Sequence, residues 1–145
     1  MIRRGFSLIE VMVVIAIIAF FALIAMPNFM SFLAKAKRSE AYIQLRALYM
    51  LEKAYFADHG TYTNKLQGAQ SLNWRPEGMV NYTYGFPGSA LVGALHCPAT
   101  ELSGASILGN SFTIAAAGDI DGDGQPDVLT INEKGEIKII KDDLQ

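Results

Sequence analysis

Four aspartates near the C-terminus are spaced like the ligands of a calcium-binding loop. Asp119, Asp121, Asp123 and Asp127 occupy positions 1, 3, 5 and 9 of such a loop, and Gly124 occupies position 6, where the chain turns sharply. Carboxylates at alternate positions can converge on a hard cation, and without one they repel each other. The spacing therefore predicts a Ca²⁺ site.

The loop pattern is incomplete at its end. The main-chain carbonyl of Gln125 falls where a further oxygen ligand is expected, but Thr130 stands at position 12, where a bidentate glutamate is expected. A site without that glutamate is expected to be weak, with a Kd of roughly 10⁻⁴ to 10⁻³ M. The alternative interpretation is an acidic turn that joins two strands without binding metal.

Catalytic chemistry has little support in the sequence. His59, His96 and Cys97 are all the imidazole and thiol groups of the chain. A zinc site needs four ligands, and a Cys–His nucleophile needs a third group to orient it. The sequence also has no phosphate-binding loop and no paired catalytic carboxylates, so we expect neither an enzyme nor an organic cofactor.

Length and composition limit the class of protein. The chain has 145 residues, a formal net charge of -2 and 51% hydrophobic residues. This length suits one domain, the hydrophobic fraction is too high for a disordered protein, and no basic excess exists to neutralise nucleic-acid phosphates. The single cysteine excludes an internal disulfide.

A long apolar run lies near the N-terminus. The 24 residues from Val11 to Ala34 include no formally charged side chain, and as a helix they cover about 36 Å, enough to cross a hydrocarbon core about 30 Å thick. Arg3 and Arg4 precede the run, which predicts a cytoplasmic N-terminus. Glu10 stands at its start, where neither a secretory signal nor a simple anchor needs a carboxylate.

The segment Arg3–Met12 (RRGFSLIEVM) resembles the signal of type IV prepilins and type II secretion pseudopilins, most closely that of a type IVa-like pilin. In that family a prepilin peptidase cuts after the glycine, and the new N-terminal phenylalanine is methylated. The resemblance implies cleavage between Gly5 and Phe6, which makes residues 1–5 a leader. The segment Tyr55–Tyr62 (YFADHGTY) is similar to the family's junction between helix and head.

The resemblance also indicates residues for assembly. A carboxylate buried among apolar helices needs a positive partner, and cleavage would create one for Glu10 at the Phe6 amine of the same or an adjacent subunit. This pairing would set the register of subunits; the alternative is an acid lying among lipid headgroups. Pro27 falls at the family's usual kink, where a proline predicts a bend or local melting, or is simply tolerated as in many membrane helices.

The helix is expected to continue beyond the uncharged run. A helix from about Ser7 to Asp58 would be a transmembrane and assembly segment over residues 6–34 and amphipathic over residues 35–59, with Gly60 as its stop. In the amphipathic part, apolar residues recur at helical spacing as Ala41, Leu45, Leu48 and Tyr55, and charged residues occupy the other sides.

Residues 60–145 are predicted to form a β-rich head. Turn residues separate short strand-like runs, Asn132–Gly135 is predicted as a hairpin turn, and residues 60–79 and 88–110 are predicted as loops. The predicted fold class is α+β: a long N-terminal α-helix packed against a small antiparallel β-sheet. The predicted strands are Asn81–Phe86, Phe112–Ala117, Val128–Asn132 and Glu136–Lys141.

These features predict a structural subunit of a type IV pilus-like filament, a helical homopolymer whose heads serve adhesion, twitching motility or DNA uptake. The expected partners are other copies of the chain, the prepilin peptidase, the inner-membrane assembly machinery and, before assembly, the bacterial inner membrane; the filament itself would be extracellular. One alternative is a type II secretion pseudopilin or a minor pilin, the pseudopilin being periplasmic. Another is a membrane-anchored calcium-binding module that never polymerises.

Overall fold

The computed structural model of the chain describes residues 5–78, 80–95 and 97–144. The chain divides into two compact units, the first ending at Leu33 and the second beginning at Ala34. Helix α1 (Leu8–His59) contributes its first part to one unit and its second part to the other. The second unit also contains an antiparallel sheet, so the predicted α+β fold class is confirmed.

Helix α1 begins and ends at residues that satisfy its free backbone groups. The Ser7 hydroxyl accepts the N–H of Glu10 at 3.3 Å, and the Glu10 carboxylate accepts the N–H of Ser7 at 3.5 Å, which is a reciprocal capping box. Gly60 follows the helix with φ 71° and donates its N–H to the Phe56 carbonyl at 2.8 Å. The helix bounds lie one residue from the predicted ones at each end.

In the first unit, α1 exposes apolar side chains on all sides. Among the described residues it is the one helix whose length and composition suffice to cross a membrane, and none of its apolar window is buried within the chain. Phe20 is 62% exposed and Leu23 is 78% exposed. A helix that is apolar all round needs cover from lipid or from other chains.

In the second unit, α1 lies on a sheet with the strand order β2-β1-β4-β5-β6, in which β3 also pairs with β4. All described pairings are antiparallel, β1 and β3 share one edge of β4, and β2 and β6 are the outer strands. The strands are β1 Thr83–Phe86, β2 Ser89–Leu91, β3 Ser106–Leu108, β4 Ser111–Gly118, β5 Asp127–Asn132 and β6 Ile137–Lys141.

The core lies between the second half of α1 and the sheet. The predicted helical row is confirmed, because Ala41, Leu45 and Leu48 are fully buried. They belong to the same hydrophobic cluster as residues from β1, β4 and β5 and the segment before β1, which include Tyr82, Tyr84, Phe112, Ile114, Leu129 and Ile131. The Tyr82 and Tyr84 rings lie 6.2 Å apart, consistent with their predicted common face.

The predicted β4, β5 and β6 and the Asn132–Gly135 turn are confirmed, since the Gly135 N–H donates to the Asn132 carbonyl at 2.9 Å. The predicted first strand begins two residues too early, because the backbone and side-chain amides of Asn81 both donate to the Glu40 carboxylate. Residues 60–78 contain turns and bends, as predicted. The loop prediction for residues 88–110 is wrong in part, since β2, β3 and a 3₁₀ turn at Ala99–Leu102 lie there.

Candidate assembly helix and carboxylate cluster

The N-terminal site residues lie on an open surface in the single chain. Phe6 is 82% exposed, Glu10 is also exposed, and an added Cβ at Gly5 would meet no atom within 4 Å. The Glu10 carboxylate caps its own helix at Ser7. The Phe6 nitrogen is an amide before cleavage, so the pairing of Glu10 with a Phe6 amine stays a prediction.

Helix α1 is continuous through position 27. One turn of the helix there carries polar side chains that bind main-chain carbonyls: the Asn28 amide donates to Ile24 at 3.4 Å, and the Ser31 hydroxyl donates to Asn28 at 2.9 Å. A proline at position 27 removes the N–H that would donate to the Leu23 carbonyl, so neither of these bonds replaces the lost one. A bend or loosening at Pro27 during assembly stays a prediction.

Four carboxylates of the head converge at one point. Asp119, Asp121, Asp123 and Asp143 each offer an oxygen within 4.8 Å of the others. The loop is shaped by its own backbone amides, because Gly122 and Gly124 donate N–H groups to Asp119 at 2.7 and 3.0 Å. Both glycines have positive φ, 91° and 88°, which lets the chain fold around the aspartates.

Asp127 is the exception among the four predicted aspartate ligands, because it lies outside this cluster. It is fully buried, and its carboxylate accepts two hydrogen bonds from the Arg38 guanidinium, at 2.5 and 3.0 Å, and one from the Tyr82 hydroxyl at 2.7 Å. The Oδ1 atom of Asp127 also accepts a hydrogen bond from the main-chain N–H of Asp143 at 3.4 Å. The structure therefore does not bring Asp127 to the other predicted aspartate ligands, because its buried carboxylate is held by Arg38 and Tyr82 instead.

The electrostatics around Asp127 fit an ion pair held between helix and sheet. Burial alone would lower the pKa of Arg38, but its hydrogen bonds and charge interactions with Asp127 and Asp142 outweigh burial and raise that pKa. Burial raises the pKa of Tyr82, and its hydrogen bond to the Asp127 carboxylate raises it further. Arg38 therefore stays charged and Tyr82 stays protonated in this network.

Asp143 is the cluster member that sequence reasoning missed. It follows β6, outside the loop pattern, and the pairing of β5 with β6 brings it back to the loop. Its carboxylate accepts the N–H of Ile120 at 3.0 Å. Burial raises the pKa of Asp143, and the charges of Asp121 and Asp123 add to the effect. No local spacing signal could have identified it, because its contact depends on the sheet register.

The predicted ligand Gln125 lies beside the cluster. It is exposed and lines a groove of about 320 Å³ together with Asp123, Pro126, Lys141, Asp142 and Asp143. Its N–H donates to Asp123 at 2.7 Å. All of these donors are oxygens, which are the ligands that Ca²⁺ prefers, and the Asp143 carboxylate adds an oxygen donor that the loop pattern lacks at position 12. The donor set therefore fits Ca²⁺ in its chemistry.

The thiol shows no sign of nucleophilic chemistry. Cys97 is 4% exposed, and burial raises its pKa, with the charge of Glu101 as a further contribution. A nucleophilic cysteine needs a lowered pKa and access to substrate. His96, its neighbour in sequence, lies outside the described residues.

A second set of polar contacts fastens α1 to the head. The Lys37 ammonium donates to the Ile120 carbonyl at 2.7 Å, so the helix reaches the start of the carboxylate loop. About one helical turn after Lys37, the Glu40 carboxylate accepts a hydrogen bond from the Asn81 N–H. It also accepts one from the Tyr84 hydroxyl at 3.4 Å. Burial raises the pKa of Tyr84, and the Glu40 charge adds to it. The charged side of α1 thus binds the head as well as facing water.

Comparison with known proteins confirms the resemblance noted in the N-terminal sequence. Residues 1–26 match the family described as the prokaryotic N-terminal methylation motif. The chain is 37% identical over 125 residues to the type IV major pilin protein PilA of Myxococcus xanthus, which covers 82% of this chain and 54% of that protein.

A secretion protein and a second pilin are also among the proteins that the chain resembles. The chain is 36% identical over 74 residues to the type II secretion system core protein G of Klebsiella michiganensis, over 51% of this chain and 52% of that protein. It is 36% identical over 58 residues to the type IV major pilin protein PilE of Neisseria gonorrhoeae, over 40% of this chain and 35% of that protein. The chain spans about half the length of the first relatives it matches.

Proposed function

We propose that the chain is a structural subunit of a type IV pilus-like filament and that it polymerises through α1. The observation that carries this proposal is the extent of the similarity to the Myxococcus pilin: the match covers 82% of this chain, so it extends beyond His59 into the head. The uncovered apolar part of α1 supports it, because a helix bundle of many copies would bury that surface. This is a structural role rather than an enzymatic one.

The subunit would begin as a precursor in the bacterial inner membrane. The prepilin peptidase would cut between Gly5 and Phe6 and methylate Phe6, and the assembly machinery would lift the mature chain into an extracellular filament. The methylation motif in residues 1–26 supports this order of events. In the filament, Glu10 would exchange its cap at Ser7 for the Phe6 amine of the same or a neighbouring subunit.

The first experiment is intact-mass and N-terminal analysis of material sheared from the cell surface. A polymer whose subunits begin at methylated Phe6 is expected. The second candidate is a type II secretion pseudopilin, which the match to core protein G favours. Envelope-bound protein with the same N-terminus and no sheared filament would favour it, and an uncut chain would contradict both proposals.

Replacement of Glu10 by Gln tests the role of its charge. The Gln side chain keeps the size and the helix cap but cannot pair with an amine as an anion, so sheared filaments are expected to fall to background while the membrane-bound pool stays unchanged. Glu77→Gln is the matched control, because Glu77 is an exposed carboxylate of the head. Normal filaments from the Glu10 variant would contradict the assembly role of Glu10.

We also propose a weak Ca²⁺ site formed by Asp119, Asp121, Asp123 and Asp143. The cation would neutralise the four carboxylates and join the loop to the segment after β6. Calcium at about 10 mM is expected to raise the free energy of unfolding by about 1 to 3 kcal/mol if Kd is roughly 10⁻⁴ to 10⁻³ M.

Calorimetric titration of the full chain in detergent micelles tests this proposal. Asp121→Asn should abolish the calcium-dependent heat and the stabilisation, whereas the matched control Asp58→Asn, at an exposed position in the last turn of α1, should retain both. Equal responses of the two variants would contradict the site.

A further inference from the structure

Glu52 lies in the second half of α1, at a position on the core-facing side where the helical pattern predicts an apolar residue. It continues the row formed by Ala41, Leu45 and Leu48 on the core-facing side of α1, and like them it is 0% exposed. Glutamate is rarely fully buried unless it is paired with a cation. Neither the filament proposal nor the carboxylate cluster uses this side chain.

The Glu52 carboxylate is only partly satisfied. One oxygen accepts the N–H of Thr63 at 3.3 Å, while the other oxygen is buried without a hydrogen-bond partner among the described residues. An anion in this place would lack most of the donors that it has in water, so the neutral acid is favoured.

The charged groups of the adjoining segments are directed elsewhere. On α1, the Lys53 ammonium donates to the Tyr62 hydroxyl at 3.3 Å. Asp58 and His59 at the end of the helix are exposed, and so is Lys65 in the segment that follows. The interactions that shift the pKa of Glu52 are burial and the Thr63 hydrogen bond, and no cation of the described residues is among them.

Thr63 begins a short segment that Glu52 fastens to the helix. The Thr63 hydroxyl donates to the Gln70 carbonyl at 3.3 Å and accepts the N–H of Lys65 at 3.3 Å. Thr63 also lines an open groove of about 390 Å³, with Tyr62, Asn64 and Phe86 among its other lining residues. The segment therefore lies between a buried acid and a surface that water can reach.

We propose that Glu52 is a pH-sensitive switch that holds the segment Thr63–Gln70 on α1 when the acid is neutral and loosens it when the acid ionises. Ionisation places an anion in the core, and its hydration requires water to enter beneath Thr63. This inference does not depend on the filament proposal, because the residues involved lie within the second unit of a single chain.

The direction of the pH dependence follows from the proton affinity of the folded state. Burial raises the pKa of Glu52 from 4.5 to about 7, while the Thr63 N–H lowers it. The folded chain then binds the proton more tightly than the unfolded chain does, so the head loses stability as the pH rises from about 4.5 to about 7. Above that range the loss is complete.

The test uses the full chain in detergent micelles. Carbon-13 NMR follows the Glu52 carboxyl through a pH titration, and hydrogen exchange measures the protection of the Thr63 amide at about pH 5.5 and about pH 8.5. Glu52→Gln mimics the neutral acid, and Glu77→Gln is the matched control at an exposed carboxylate. His59→Gln separates any contribution of the imidazole at the end of α1.

A carboxyl midpoint near pH 7 is expected. The exchange rate of Thr63 relative to the Glu52→Gln variant should rise about 10-fold or more between the two pH values, and the Glu77 and His59 variants should behave as wild type. A midpoint near 4.5, or a Thr63 exchange ratio that does not change with pH, would overturn the proposal. The carboxyl titration in the wild-type chain remains decisive even if a variant folds poorly.

Discussion

The Asp127 carboxylate joins three parts of the head. Its partners are the Arg38 guanidinium on α1, the Tyr82 hydroxyl before β1 and the main-chain N–H of Asp143 after β6. Because Asp127 is fully buried, the loss of its charge would leave Arg38 poorly compensated. Arg38 and Asp127 thus form one largely buried ion pair, although 89 positions separate them in the sequence.

Asp127→Asn is therefore expected to lower the free energy of unfolding by about 3 kcal/mol. Tyr82→Phe removes one neutral hydrogen bond to the same carboxylate and is expected to cost about 1 kcal/mol. Urea unfolding followed by the fluorescence of Trp74, the single tryptophan and 4% exposed, measures both. Equal, small losses would contradict the importance of the ion pair.

For individual residues, the sequence predicted the acidic loop but not the role of each carboxylate in it. Asp121 and Asp127 look alike in the spacing pattern, and what separates them is Arg38, a contact that only the packed helix creates. Asp143 was missed for the converse reason, since strand pairing brings it to the loop. Glu52 was missed because charged residues on a helix are expected to face water.

At the scale of the elements, Gly93 lies directly against the backbone of the segment before β1. An added Cβ there would lie 2.1 Å from the Tyr82 carbonyl oxygen and 2.4 Å from that of Asn81. The neighbouring amides explain this proximity, because Ala94 donates to Val80 at 2.7 Å and Leu95 donates to Asn81 at 2.9 Å. The segment after β2 thus pairs with the segment before β1 with no room for a side chain.

Gly93→Ala is expected to destabilise the head by about 3 kcal/mol, because the obstructing atoms are backbone and cannot rotate away. Gly104→Ala is the matched control, since an added Cβ there makes only an ordinary contact of 3.6 Å with Thr130. Thermal unfolding monitored by circular dichroism compares the two. A Gly93 variant as stable as the Gly104 variant would show that the two segments separate easily.

The elements that the sequence predicted well are those with long or regular patterns. The bounds of α1 followed from an uninterrupted apolar and then amphipathic run that ends at Gly60. Strands β4 to β6 have enough apolar residues to be recognised. Strands β2 and β3 have three residues each and were missed, because their formation depends on pairing with β1 and β4 rather than on their own composition.

At the scale of the whole molecule, the proposed processing and the proposed assembly can be tested separately. An added Cβ at Gly5 meets nothing within 4 Å, so the described structure does not require glycine there. Gly5→Val is therefore expected to leave membrane insertion unchanged but to block cleavage, so that the chain keeps residues 1–5 and forms no filament. Glu10→Gln is expected to be cleaved and still fail to assemble.

Mass spectrometry of the membrane fraction distinguishes the two variants. A Gly5→Val chain that is cut normally would contradict the assignment of the leader. A Glu10→Gln chain that stays uncut would move the role of Glu10 from assembly to recognition by the peptidase.

The exposed edge of the sheet has a consequence for a polymer. Strand β6 is an outer strand on which Ile139 is 42% exposed and Ile140 is 58% exposed, and Lys138 and Lys141 lie on either side of them. Lysines on an edge strand discourage pairing with another strand. In a filament this edge would recur at every subunit, so even weak attraction between two edges would multiply along their length. The Lys141 ammonium is paired with Glu101 at 2.6 Å, so Lys138 is the lysine whose charge would chiefly oppose side-by-side bundling of such filaments, and salt would screen that charge.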